Sequence, residues 1–199
     1  MEIAEALSLY LKQDSYFDPD MNGKMKFLIL LKTEIPTFPS KKTLELEEML
    51  QKSSEQTEKY FIADLLYLNQ SFDEVLINLM LEISIQLGDS SFNRIFLIPC
   101  IRAFEHLHIV NWLKTRFETA NIKDRIRIPS LIYHLNVNRV NSDRLKSSII
   151  KCSKSSNNLI ELYHFKLALS DLLPNNDLPK NASTLTSMII GNKVYEHLP

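Results

Sequence analysis

The arginines of this 199-residue chain are concentrated in one segment, where together they could bind anions. All seven lie between Arg94 and Arg144. A guanidinium presents N–H donors in a plane that matches carboxylate and phosphate groups, so a shared surface of them would bind an acidic protein or a nucleic-acid backbone. With a lysine and a histidine from the same segment, the candidate binding residues are Arg94, Arg102, Arg116, Lys123, Arg125, Arg127, His134, Arg139 and Arg144.

The remaining charge is distributed asymmetrically around this segment. Residues 1–91 carry 8 basic and 16 acidic side chains, residues 92–154 carry 12 and 4, and residues 155–199 carry 3 and 4. The net charge of −1 therefore hides an acidic N-terminal half and a basic middle. Such asymmetry points to charged partners and says nothing about fold. The alternative is that the basic side chains are solvated, or that they pair with the acidic half of the same chain.

One stretch near the N-terminus resembles the opening of a calcium-binding loop. Asp18, Asp20, Asn22 and Gly23 follow the D-x-D-x-N-G order of an EF-hand. The twelfth loop position must supply a bidentate glutamate, and here it is Ile29. The stretch is therefore interpreted as a polar turn before a helix, and no calcium is expected.

A second metal pattern, Glu-x-x-His, occurs at Glu105–His108 and again at Glu161–His164. Two such pairs and two further glutamates form di-iron sites in helical bundles. The sequence does not identify the two further glutamates, and four-residue patterns of common residues recur by chance. No metal or other cofactor is therefore expected.

The sequence contains no motif typical of an enzyme. Its three glycines, Gly23, Gly88 and Gly191, are too far apart for a phosphate-binding glycine loop. The two cysteines, Cys100 and Cys152, are expected to be reduced, buried thiols, since two are too few for a disulfide framework. No catalytic residue is assigned. An enzyme whose site forms only in three dimensions stays an alternative.

Apolar residues recur at helical spacing almost throughout, which predicts an all-α protein with one domain over 1–199. The clearest helix is 71–87, where Ser71 and Glu74 form a capping box. No apolar run is long enough to span a bilayer, so a cytoplasmic protein without membrane contact is predicted. The other predicted helices are 2–13, 22–33, 42–53, 55–68, 92–104, 106–119, 122–135, 141–153, 157–173 and 182–190.

Residues 92–104 and 122–135 align with each other and share a proline, Pro99 in the first and Pro129 in the second. A proline inside a helix removes a backbone hydrogen bond and kinks the axis. On residues 92–153 the chain resembles HEAT-like α-helical repeat proteins. The resemblance implies a curved stack of antiparallel helix pairs with a concave face. An irregular helical bundle is the alternative architecture.

Basic residues of the second copy have helical spacing. Lys123, Arg127 and His134 would share one face of a continuous helix over 122–135. We therefore predict a non-catalytic protein-binding module with an acidic partner. A specific version is a small bacterial immunity or antitoxin-type protein, suggested by size and by the missing catalytic motifs. The alternative is a nucleic-acid-binding repeat protein that uses the Arg94–Arg144 segment.

Overall fold

The computed structural model of the chain describes residues 3–12, 23–34, 43–52, 56–68, 73–87 and 90–170. All regular elements in these ranges are helices, which confirms the all-α prediction. None of these helices is long and apolar enough to cross a membrane. The predicted helix over 182–190 lies outside the described residues. The α-helices are α1 (Ile3–Leu11), α2 (Gly23–Glu34), α3 (Thr43–Lys52), α4 (Gln56–Leu68), α5 (Glu74–Gln86), α6 (Ser90–Ala103), α7 (His106–Thr119), α8 (Ile122–Arg125), α9 (Leu131–Val137), α10 (Asp143–Ser155) and α11 (Leu159–Ser170).

The helices group into two compact units. Unit 1 comprises Met1–Ser84 and Ser91–Phe104, and unit 2 comprises Ile85–Ser90 and Glu105–Pro199. The single domain over 1–199 and the HEAT-like stacking stay predictions.

Unit 1 is organised around α4. The six consecutive residues Phe61–Leu66 are all buried, so this middle part of the helix is enclosed on every side instead of along one stripe. Helices α1, α2 and α3 pack against it. The Tyr10 ring of α1 lies 5.1 Å from the Phe61 ring, and the Tyr10 hydroxyl donates to Asp64 Oδ2 at 2.7 Å. The hydrogen bond satisfies a carboxylate that is itself buried, as a buried polar group requires.

Unit 2 is built on the packing of α10 against α7 and of α11 against α10. The rings of Phe117 in α7 and Phe165 in α11 are 5.6 Å apart and tilted by 58°, a favourable arrangement for aromatic pairs. Both side chains are fully buried. The described core of this unit further contains Ile109, Val110, Leu113, Ile128, Leu131, Ile132, Leu135, Leu145, Ile149, Leu162 and Leu169.

Helix α5 begins three residues later than predicted. The Asp73 carboxylate accepts a hydrogen bond from the Val75 N–H at 2.7 Å, so Asp73 satisfies one of the amides left unpaired at the helix start. Ser71, which the sequence suggested as the cap, lies outside the described residues.

The two aligned prolines have different effects on their helices. Pro99 lies inside α6, which continues through it to Ala103. Pro129 lies in a 3-10 turn, Ile128–Ser130, that separates α8 from α9. The prediction of one helix over 122–135 is therefore wrong. Proline lacks an N–H and its ring clashes with the carbonyl four residues back, and here the chain responds by tightening into a 3-10 turn.

Candidate functional site: a basic groove of unit 2

The candidate binding residues are divided between the two units. Arg94 and Arg102 lie on α6 in unit 1, and the other seven lie in unit 2. Arg94 is exposed, and the guanidinium of Arg102 lies 4.1 Å from the centre of the Tyr67 ring. This distance is typical of a cation–π contact, which holds the Arg102 side chain against its own unit.

Two arginines of unit 2 form ion pairs inside the unit. Arg116 Nη2 lies 2.9 Å from Asp124 Oδ2, and Arg125 Nη2 lies 2.5 Å from Glu161 Oε1. Only 3% of the Glu161 side chain is exposed, and its other oxygen accepts a hydrogen bond from the Ser156 hydroxyl at 2.6 Å. Both guanidinium groups therefore neutralise carboxylates of their own unit, and the carboxylates do not come from the acidic segment 1–91.

Three further candidates do not share a helix face. Lys123 is on α8, Arg127 is in the turn that follows it, and His134 is on α9. The spacing argument required one continuous helix, and the 3-10 turn breaks it. Arg127 Nη1 donates to the Gln86 carbonyl at 2.9 Å, and the His134 ring contacts the Tyr133 ring edge-on. Lys123 is exposed.

The last two candidates, Arg139 and Arg144, line the same groove. The groove has a volume of about 470 Å³, within the range of roughly 300–1,000 Å³ that is usual for ligand pockets. Both arginines are exposed, and neither has an ion-pair partner among the described residues. The other lining residues are His106, Leu107 and Val110 from α7, Asn141 from the loop before α10, and Asp143, the first residue of α10.

The end of α9 positions Arg139 through an unusual backbone conformation. Its φ is +60°, in the left-handed region that favours glycine. The Val140 N–H bonds to the Leu135 carbonyl at 2.9 Å, which is the long hydrogen bond of a Schellman helix end. Arginine therefore occupies the position that glycine usually takes at such an end.

The loop after Arg139 is held by side-chain hydrogen bonds. Ser142 donates to Asn136 Oδ1 at 2.9 Å, and Asn141 Oδ1 accepts from the Asp143 N–H at 2.9 Å. Arg144 Nη1 donates to Asn111 Oδ1 of α7 at 3.1 Å. This last bond orients the Arg144 guanidinium, and the groove walls from α7 and α10 are fixed by the packing of those two helices.

The groove combines positive charge with apolar surface. Arg139 and Arg144 supply two positive charges, and Asp143 supplies one negative charge. Lys146 Nζ, 3.4 Å from Asp143 Oδ1, offsets part of that negative charge. Leu107 is 53% exposed, and Val110 beside it is buried. The groove can therefore bind a carboxylate and an apolar group together.

Neither metal motif gains support from the arrangement of its residues. Both carboxylate oxygens of Glu161 are bonded, to Arg125 and Ser156, and Glu105 precedes α7 at its N-cap. In the part of the chain that the structure describes, no three His, Cys, Asp or Glu side chains gather as metal ligands would. Most of the stretch from Asp18 to Gly23 lies outside that part.

The two cysteines differ in burial. Cys100 is fully buried, as predicted, and burial raises the pKa of its thiol. Its Sγ donates to the Phe96 carbonyl at 3.1 Å. Cys152 is half-buried, so its predicted burial is only partial, and desolvation raises the pKa of this thiol as well. Raised thiol pKa values disfavour the nucleophilic thiolate.

Sequence reasoning identified the two groove arginines but missed the groove itself. The signal that could have located it is the run Asn136-Val-Asn138-Arg-Val-Asn141, in which three asparagines indicate a turn. The contribution of α7 had no local signal, since Leu107 and Val110 follow the ordinary helical pattern.

Comparison of the chain with protein families, with curated proteins and with solved structures finds no match. Its function has to be inferred from the arrangement of its side chains.

Proposed function

We propose that this chain is a non-catalytic protein-binding module that receives an acidic segment of a partner protein in the groove of unit 2. The observation that supports this proposal is the pairing of two exposed arginines with exposed apolar surface in one concavity. Protein interfaces are enriched in arginine and in apolar contacts at their centre. Phosphate backbones are bound mainly by positive charge and need no apolar wall.

Nucleic-acid binding is the less well supported candidate. It requires many cationic groups that neutralise successive phosphates. Arg116 and Arg125 are paired with carboxylates, and Arg127 is bonded to a backbone carbonyl. Because these three guanidinium groups already have partners within the chain, fewer cationic groups remain for phosphates than the sequence suggested.

Two finer hypotheses accompany the proposal. A protein that occludes an acidic partner fits an immunity or antitoxin-type role, for which the supporting features are small size and the lack of catalytic motifs. A cytoplasmic location fits such a role and stays a prediction.

The proposal is tested by reversing one charge inside the groove and one outside it. Arg144 and Lys123 are exposed, and each is the second residue of its helix, in α10 and α8. Substitutions of exposed side chains usually change stability little, so both variants should fold, and at Arg144 a glutamate also interacts favourably with the dipole of α10. The probes are a glutamate–leucine copolymer and a short DNA duplex, each titrated at low salt.

We expect the wild-type protein and Lys123→Glu to bind the copolymer with similar affinity, and Arg144→Glu to bind about tenfold more weakly or worse. Duplex binding that exceeds copolymer binding, and that both variants weaken equally, would instead support the nucleic-acid candidate. Equal copolymer binding by all three proteins would contradict the proposed groove.

A further inference from the structure

Arg139 keeps a backbone conformation that a different residue would adopt more easily. Its φ of +60° suits glycine, and any side chain with a Cβ is disfavoured there. The hydrogen bonds of the helix end do not require an arginine, since the bonds at residues 139 and 140 are made by backbone N–H groups, and the Arg139 side chain is exposed. An outlier of this kind that places a charged side chain in a cavity indicates a role for the side chain itself.

The second guanidinium is oriented towards the same space. Arg144 uses one N–H for Asn111, and a guanidinium has five such donors. The remaining donors of Arg144 have no described partner within the chain. Two guanidinium groups on one groove can surround a carboxylate with charge-assisted hydrogen bonds, which are roughly twice as strong as neutral ones.

The composition of the groove selects for one negative charge. Asp143 lies in the same groove, and its carboxylate repels a second anion, although Lys146 offsets part of this effect. A phosphate dianion or a chain of phosphates would meet more of that repulsion than a single carboxylate between the arginines. Leu107 supplies an apolar surface for a neighbouring aliphatic side chain.

The remaining polar groups suit a polypeptide backbone. Asn141 can donate to a carbonyl, and Asp143 can accept from an N–H. A segment that continues past its acidic residue offers such groups on both sides, whereas a chain terminus offers them on one side only. An internal acidic side chain therefore matches the groove better than a terminal carboxylate.

We propose that Arg139 and Arg144 clamp the side-chain carboxylate of one glutamate or aspartate of the partner, and that the aliphatic residue beside it packs on Leu107. This inference rests on the proposed function and specifies the element that the groove recognises. It also gives Arg139 a specificity-determining role, which would explain why an arginine occupies a glycine-type conformation.

The test uses the full chain and short peptides that are acetylated and amidated, so that one glutamate side chain is their only carboxylate. That glutamate is followed by leucine, and a matched peptide contains glutamine in its place. Binding is followed by chemical-shift changes in ¹⁵N–¹H spectra. The variants are Arg139→Gly, which relieves the backbone, and Arg144→Gln, with Lys123→Gln as the control.

We expect the glutamate peptide to shift the amide signals of residues 106–110 and 139–144. The glutamine peptide should bind about tenfold more weakly or worse, and Arg139→Gly and Arg144→Gln should each lose a similar factor. Lys123→Gln should bind as the wild type does. A thermal melt of Arg139→Gly at or above the wild-type midpoint would show that its lost binding is not lost folding.

Four results would overturn the clamp. They are equal binding of the two peptides, unchanged binding by Arg139→Gly, binding only of a peptide with a free terminal carboxylate, and stronger shifts of the same signals by inorganic phosphate. If the clamp fails in any of these ways while the glutamate–leucine copolymer still distinguishes Arg144→Glu from Lys123→Glu, the proposed protein-binding function stands. If the copolymer also fails to bind, both proposals fail.

Discussion

Unit 2 contains two sets of arginines that the sequence does not distinguish. Arg116 and Arg125 are paired with carboxylates of their own unit, and Arg139 and Arg144 face a groove. The first set lies where α8 meets α7 and α11, so carboxylates on neighbouring elements come within reach. The second set lies at a helix end and a helix start, where the chain turns and leaves space. The fifth arginine of the unit, Arg127, belongs to neither set, since it donates to a backbone carbonyl. For the other four, the role depends on whether an acidic residue of an adjacent element reaches the guanidinium.

The largest effect should come from removing the cation that pairs with the buried Glu161. Arg125→Met leaves the Glu161 carboxylate buried without its partner, which should destabilise unit 2 by about 3 kcal/mol. The only tryptophan of the chain, Trp112, lies in α7, so its fluorescence during urea unfolding reports on this unit.

The double variant Arg125→Met/Glu161→Gln tests whether the lost stability comes from the carboxylate charge that Arg125→Met leaves unpaired. It removes the uncompensated charge, and it should therefore be more stable than Arg125→Met alone. If Arg125→Met unfolds at the same urea concentration as the wild type, the distinction between carboxylate-paired arginines and groove arginines is wrong.

Replacing the groove arginine Arg139 should change the stability of unit 2 in the opposite direction. Arg139→Gly removes a left-handed arginine but adds freedom to the unfolded chain, so the net change should be a gain of about 0.5 kcal/mol or less. Arg139→Ala, which keeps the Cβ and loses the guanidinium, is the matched control and should not gain. Urea unfolding followed by Trp112 measures both. A clear loss of stability in Arg139→Gly would mean that the Arg139 side chain supports the fold.

The smallest effect concerns the protonation of His164, which lies on α11 together with Glu161, the partner of Arg125. Burial lowers the pKa of His164 on α11, because the imidazolium is poorly solvated there. The unfolded chain, with a histidine pKa of about 6.5, then binds the proton more readily than the folded one. The stability that depends on neutral His164 is therefore fully present above that pH, and it should decrease as the pH falls through about 6.5.

The measurement compares the urea midpoint at about pH 7.5 with that at about pH 5.5, on either side of the unfolded-state value. His164→Gln should show a smaller decrease than the wild type, since glutamine does not titrate. An equal decrease in both proteins would assign the pH dependence to the carboxylates of the unit and not to His164.

The helical content was predictable because it depends on local periodicity. Helix α7 has the predicted ends, and α10 and α11 lie within a few residues of theirs. The error at 122–135 has a local cause as well, since Pro129 could be seen in the sequence. The alignment with Pro99 suggested that both helices would continue, but the chain is helical through Pro99 and tightens into a 3-10 turn at Pro129.

The groove was less predictable because it depends on contacts between distant residues. Arg144 meets Asn111 from 33 positions away, and Arg125 meets Glu161 from 36 positions away. Charge counts located the basic segment correctly but treated its members as equivalent. Only tertiary packing separates the arginines that neutralise an internal carboxylate from those that remain available to a ligand.

The enclosure of α4 in unit 1 has a consequence for how that unit tolerates change. Most helices have a solvent face on which substitutions accumulate at little cost, but Phe61–Leu66 offers none. The helices packed around α4 can vary on their outer faces, while this central segment has to keep its volume at every position. Saturation mutagenesis of unit 1 should accordingly show a continuous band of intolerance over Phe61–Leu66, where a surface helix would show permitted sites that recur about every three to four residues.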